Sequence, residues 1–510
     1  MDAQVGSGAN EPVAPGLVID GRVEQGENGD YPVTNPARPG EEVLRAPAAS
    51  PGQLDSAVQA ARRAQPAWAA ITIEERAAAV AKAAELAASA VEAGDLARLL
   101  TREHGKVLWE SQFDTGTIGG MAGAFAPLVA GAVATRRIGA SGIEALPEGS
   151  PGAGKANLVE HVPYGVVGAI VPFNWPVSIL GNKVLPALLA GNAVVVKAPP
   201  TCPGAVLSVA AALAEGLEPG LVNVVNGPGA EIGEALVGHA GVDMVSFTGG
   251  VASGRAVMAL AARTTKPVVL ELGGNDPALV APDVEVDEAL AAKIVEAAFV
   301  TSGQVCMALK RLYVPERQVR AMVEALVARL SSEVVGDGLL PEVTMGPVHT
   351  ALARDRVERM LAEAEATGAK VHRPAAVREE DARAGGYFVS PAIVEDPPPG
   401  SAIVVEEQFA PVLPVIGYRD LDDALAQANA TSFGLCASVW SDDDDLSASL
   451  ARRLEAGTVF VNSHGMGAMD HLAPFGGWKS SGLGAELGEE GMLAFTRARV
   501  LRGVPVGSAR

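Results

Sequence analysis

Three residues in this chain could each do chemistry: Cys306 in FVTSGQVCMALKR (299–311), Glu271 in VVLELGG (268–274) and Asn174 in PFNWP (172–176). A cysteine is a nucleophile when its thiolate is populated and one side is open, and otherwise a small buried hydrophobe. The local run is consistent with both. Glu271 ends an apolar stretch and precedes two glycines, a place where a charged residue is rarely buried without a purpose, and an ion-paired strand end is equally open. Asn174 lies between two prolines on a rigid turn, where its amide can donate to a developing oxyanion or simply satisfy backbone groups.

Two glycine turns could receive a phosphate. Asn226-Gly227-Pro228-Gly229 with Gly233 partly imitates the dinucleotide fingerprint, one residue out of spacing. Gly249 and Gly250 in FTGGVASG (247–254) stand between a strand and a helix whose first amides would face an anion. Lys197, ending AVVVK, supplies a cation. Such local help is needed, because 60 acidic residues against 39 basic ones leave a net charge of −21. That balance opposes a nucleic-acid backbone or an anionic membrane surface as partner.

These residues need a frame. Short apolar runs at 166–171, 193–197, 221–225, 242–247 and 267–272 alternate with helical stretches, which predicts βαβ units and a buried parallel sheet whose strand ends bind ligands. The Ala-rich segment 54–109 predicts helices, and 136–165, rich in Gly and Pro, predicts a linker or a hairpin. Beyond Asp276 the alternation resumes, predicting a second α/β domain. Asp442–Asp445 reads as a helix start, since no histidine or bidentate partner follows at metal-ligand spacing. With 510 residues, 48% hydrophobic and 19% charged, two to four packed domains are expected. Cys202, Cys306 and Cys436 make no disulfide framework, which predicts a reducing, cytoplasmic setting. The first thirty residues and the absence of an 18-residue apolar run predict neither a secretory signal nor a membrane span.

Taken together, PFNWP, VVVK, FTGG, LELGG, GQVC, EEQFAPV (406–412) and PFGGWKSSGLG (474–484), in this order between about Asp20 and Val500, resemble the aldehyde dehydrogenase superfamily of NAD(P)-dependent, hydrolytic type. The resemblance implies a doubly wound, parallel-sheet cofactor domain (1–135 and 163–271), an α/β catalytic domain (272–484), and a β oligomerisation arm with tail (136–162 and 485–510). It implies Cys306 as nucleophile, Glu271 as general base and Asn174 in the oxyanion hole. For NAD(P)+ it implies Glu407 at the nicotinamide ribose with Phe409 near the ring, Lys197 at the adenosine ribose and Gly249 with Gly250 at the pyrophosphate. Pro172, Phe173, Gly229 and Leu272 would complete the cofactor wall, and no metal is implied. A homodimer or homotetramer follows from the arm.

Three departures stand out: Pro200 where a ribose-gripping glutamate is common, Gly250 where serine is common, and Ala410 in place of the glycine of FGP. The first two bear on cofactor choice and leave the catalytic trio intact. The expected aldehyde channel, Trp175, Val305, Met307 and Phe475 with Met121 and Val300, is apolar and lacks an arginine beside Cys306, which favours neutral aldehydes. The rival readings are a coenzyme-A-acylating semialdehyde dehydrogenase, with less need of Glu271, a Glu/Lys/Cys amide or nitrile hydrolase, with no need of a glycine turn and strand-end lysine, and a non-catalytic descendant of the fold.

Overall fold

The computed structural model describes residues 16–138 and 155–505. The Ala-rich segment forms helices Pro51–Ala70, Ile73–Ala93 and Leu96–His104, followed by Leu108–Ala132. The first two begin with reciprocal caps, Ser50 with Gln53 and Thr72 with Glu75, which satisfy the orphan amides of the first turn. Asp443 likewise caps the helix Asp444–Ala451, so the acidic run is a helix start.

The apolar runs pair as strands. Val268–Glu271, Met244–Thr248, Val166–Ile170, Ala193–Lys197 and Val222–Val225 lie side by side and parallel, in that order. The chain winds outward both ways from Val166–Ile170, so a crevice opens at the carboxyl ends of that strand and Met244–Thr248, the usual ligand site of a doubly wound sheet. Antiparallel edges complete the sheet: Leu17–Ile19 with Arg22–Glu24 on one side and the two-residue strand Gly482–Leu483 on the other. Gly482–Leu483, expected with the second unit, therefore belongs to the first sheet.

A second, seven-stranded sheet contains Leu309–Pro315, every residue of which is buried, between Asp276–Val280 and Val412–Tyr418. Outside both sheets, Thr496–Pro505 pairs antiparallel with Lys155–Pro163, which pairs with Arg136–Ile138. The remainder of the expected arm, 139–154, lies outside the described residues. No helix among the described residues is long and apolar enough to cross a membrane.

Candidate active site

Cys306 is reached through a strained approach. Thr301, Ser302 and Gly303 have φ of 53°, 55° and 70°, a run of left-handed residues that two side-chain-bearing positions adopt only under external restraint. The restraints are visible. Thr301 donates its amide to Glu110 Oε1 at 2.5 Å, Ser302 Oγ donates to the Gly346 carbonyl at 2.8 Å, and the His349 amide donates to Gln304 Oε1 at 2.8 Å. At Gly303 any side chain is excluded, because a Cβ there would lie 2.3 Å from the Ala410 carbonyl oxygen. Asn174 Nδ2 donates to the Gln304 carbonyl at 3.1 Å, which ties the PFNWP turn to the same loop.

Glu271 ends its strand 4% exposed, with Oε1 lacking a hydrogen-bond partner. Burial, and next the charge of Glu486, push its pKa up to about 8. Glu486 accepts from the buried Lys183 Nζ at 2.5 Å, and Lys183 also donates to Ser246 Oγ at 3.0 Å. A residue assigned to the assembly tail thus forms part of the floor beneath the carboxyl. The Cys306 thiol is pushed well above the ordinary range by burial and by the Glu271 charge, while Lys310 pulls it down.

One cavity of about 610 Å³ joins these groups to the crevice. Its wall includes Asn174, Glu271 and Cys306, and also Pro172, Phe173, Lys197, Gly229, Gly249, Gly250, Leu272, Glu407 and Phe409. Lys197 is buried, with no ion pair among the described residues, and burial pulls its pKa down to about 8. Thr248 Oγ1, also on the wall, is buried without a partner. Gly250 caps the helix Val251–Ala262, and a Cβ there would enter open space. An unpaired cation, an orphaned hydroxyl and open helix amides fit a dinucleotide. Phe409, held at φ 51°, meets the Phe173 ring edge-on at 5.9 Å.

The expected aldehyde-channel residues lie off this wall. Trp175, Val305, Met307 and Phe475 are buried, between 3% and 7% exposed, and packed in the core of the first unit. Trp175 heads the helix Pro176–Leu189 with Lys106 Nζ 4.1 Å over its ring and Phe113 edge-on at 5.9 Å. Sequence reasoning missed Glu110, His349, Lys183, Glu486 and Lys310. For Lys310 a signal existed, a charged pair with Arg311 inside the apolar run ALKRLYV.

The chain matches the aldehyde dehydrogenase family over residues 23–501. It is 40% identical over 348 residues to geranial dehydrogenase of Castellaniella defragrans, covering 68% of this chain and 70% of that one. It is 34% identical over 473 residues to the NADP(+) succinate-semialdehyde dehydrogenase of Escherichia coli, covering 92% and 93%. The crystal structure of betaine aldehyde dehydrogenase from Staphylococcus aureus in complex with NAD+ superposes with a TM-score of 0.87 at 29% identity, over 98% of this chain and 96% of that one. The chain belongs to the aldehyde dehydrogenase family and is an oxidoreductase that oxidises an aldehyde with NAD(P)+.

Proposed function

We propose that this enzyme converts a neutral, apolar aldehyde to its carboxylic acid through covalent chemistry at Cys306. The observation that carries the reading is the shared cavity wall, on which Cys306, Glu271 and Asn174 meet Lys197, Gly249, Gly250 and Glu407. The Cys306 thiolate adds to the carbonyl carbon, forming a C–S bond and leaving negative charge on oxygen. The Asn174 side chain and the Cys306 amide donate to that oxygen. When bound, the nicotinamide accepts the hydride released by the thiohemiacetal carbon. The thioester that remains on Cys306 is hydrolysed by water from which Glu271 takes a proton, and the sulfur departs as thiolate.

In the same reading Glu407 holds the nicotinamide ribose, with Phe409 and Phe173 packed beside the ring. Lys197 holds the adenosine ribose, Gly249 and Gly250 the pyrophosphate, and Gly229 the adenine side, while Pro172 and Leu272 close the wall. Residues 1–135 and 163–271 act as the cofactor domain, 272–484 as the catalytic domain, and 136–162 with 485–510 as the arm and tail of a homodimer or homotetramer. Three free cysteines support a reducing, cytoplasmic setting. The absence of arginine from the cavity wall among the described residues supports the choice of a neutral substrate.

Initial rates over a panel of aldehydes, with NAD+ and NADP+ in turn, test the proposal. The expected outcome is carboxylic acid formed from apolar aldehydes at rates independent of added coenzyme A. A preference for carboxylated aldehydes, or a requirement for coenzyme A, would refute it.

A further inference from the structure

Lys310 lies at the start of the buried strand Leu309–Pro315, with its side chain 3% exposed. Its Nζ donates to the Cys306 carbonyl at 2.6 Å, to the Gly274 carbonyl at 2.9 Å and to Glu407 Oε1 at 3.0 Å. An ammonium has three protons, and each has an acceptor. The three acceptors belong to three parts of the site: the nucleophile loop, the turn that follows the Glu271 strand, and the carboxylate on the cofactor wall. The Gly274 amide also donates to Glu407 Oε1, at 3.1 Å, so the lysine and the turn grip the same oxygen.

We propose that Lys310 is the positioning residue of this active site, a buried cation that sets the spacing of Cys306 and Glu407 and offsets the carboxylates facing the thiol. The proposal rests on the reading of Cys306 as nucleophile. Charge accounting supports it. The groups that act on Cys306 are the carboxyls of Glu271 and Glu407, which hold the thiol up, and Lys310, the cation among them, which pulls it down. Around Lys310 stand Glu407, Asp276 and Cys306, which together keep it protonated despite burial, and His464, whose imidazole it helps keep neutral. Buried Cys436 adjoins the same cluster, with its thiol pushed up by burial and by Asp276. Without the ammonium, no cation would offset the carboxyls beside the forming thiolate, the Cys306 and Gly274 carbonyls would lose this donor, and Glu407 Oε1 would keep only the Gly274 amide.

The test reads the thiol itself, in protein without cofactor. Iodoacetamide alkylation of Cys306 is followed against pH by peptide mass, and the cofactor KM and kcat are measured separately. In Lys310→Met the alkylation midpoint is expected to rise by about one pH unit, so that the rate below the midpoint falls about tenfold. Lys310→Arg keeps the charge, yet its planar fork does not fit three acceptors disposed around an ammonium. Its midpoint should stay near wild type while the cofactor KM rises several-fold more than kcat falls. A folded Lys310→Met with the wild-type alkylation profile would overturn the proposal. If that variant does not fold, Lys310→Gln, which keeps two N–H donors without the charge, takes its place under the same criterion. Failure of both to fold would also overturn it, because the lysine would then serve the fold alone. The underlying reading of Cys306 fails separately, if Cys306→Ala still turns over.

Discussion

Tyr31 donates its hydroxyl proton to the carbonyl oxygen of Pro200 at 2.8 Å and accepts from Asn226 Nδ2 at the same distance. The backbone at the Pro200 end of the cavity is therefore fixed to the strand Asp30–Asn35, and Asn226, from the turn that imitates a dinucleotide fingerprint, serves as a strut. Pro200 lines the cavity together with Lys197, and the carboxylate of Glu234 stands on the same wall.

In the proposed cofactor pose, Pro200 offers neither a hydrogen bond to the ribose hydroxyls of NAD+ nor repulsion toward the extra phosphate of NADP+. Both cofactors are expected to be accepted, with Lys197 available to the 2′-phosphate. In Pro200→Glu the ratio of kcat/KM for NAD+ over NADP+ should rise about tenfold or more, equivalent to ~1.4 kcal/mol. Paired initial-rate measurements on wild type and variant decide it, and an unchanged ratio would place position 200 away from the ribose.

Of the three thiols, only Cys306 reaches the cavity. Cys202 is buried with Sγ donating to the Phe173 carbonyl, and Cys436 is buried within its strand. Cys306→Ala should lose turnover by about a thousandfold or more, whereas Cys202→Ala and Cys436→Ala should keep activity within a few-fold and lose stability by about 1 kcal/mol. Steady-state rates and thermal melts of the three variants separate these outcomes.

The base role proposed for Glu271 sets an expected pH dependence. A base must be ionised to act, and with its pKa near 8 this carboxyl is mostly protonated at neutral pH. Hydrolysis of the acyl-enzyme should therefore rise about tenfold per pH unit below pH 8 and level off above it. Glu271→Gln should release one equivalent of reduced cofactor and then stall, with the acyl mass retained on Cys306. Loss of that first equivalent would instead assign Glu271 to thiol activation.

Position 303 has no room for a side chain. Gly303→Ala places a methyl group against the Ala410 carbonyl at positive φ, and it should lower stability by a few kcal/mol and activity by at least about a hundredfold. A variant that melts and turns over like wild type would mean that the loop is free to relax.

Truncation distinguishes the tail's two parts. Removal of Thr496–Pro505 exposes the Lys155–Pro163 edge and, on the proposed arm-mediated assembly, should release subunits, as seen by light scattering. Removal from Glu486 onward also strips Lys183 of its buried partner, a loss of about 3–5 kcal/mol, and should unfold the site as well.

The parallel sheet was legible because its strands are short, apolar and bounded by turns, and the sequence limits for Ala193–Lys197 coincide with the observed ones. Cys306, Glu271, Asn174 and the expected cofactor residues each sit at a strand end or turn with a marked local pattern, and the structure brings them onto one cavity wall. What escaped depends on distant pairing. Lys183 and Glu486, far apart in sequence, acquire meaning only when a helix and the tail meet. Trp175, Val305, Met307 and Phe475, expected along the aldehyde channel, are buried in the core of the first unit and lie off the cavity wall. Lys310 was hidden by the opposite effect, a charge that three internal acceptors make tolerable inside a strand.

The edge strand Gly482–Leu483 hydrogen-bonds to the strand that ends in Glu271, yet it is made more than two hundred residues later. On the ribosome, the Val268–Glu271 edge is synthesised long before its neighbour, and such distant pairings form late. The edge beside Glu271 and its floor at Glu486 therefore cannot be complete until residues 482–486 have been made. An incompletely synthesised chain can present the cysteine but not the buried carboxyl environment around it, so chemical competence is coupled to completion of the fold.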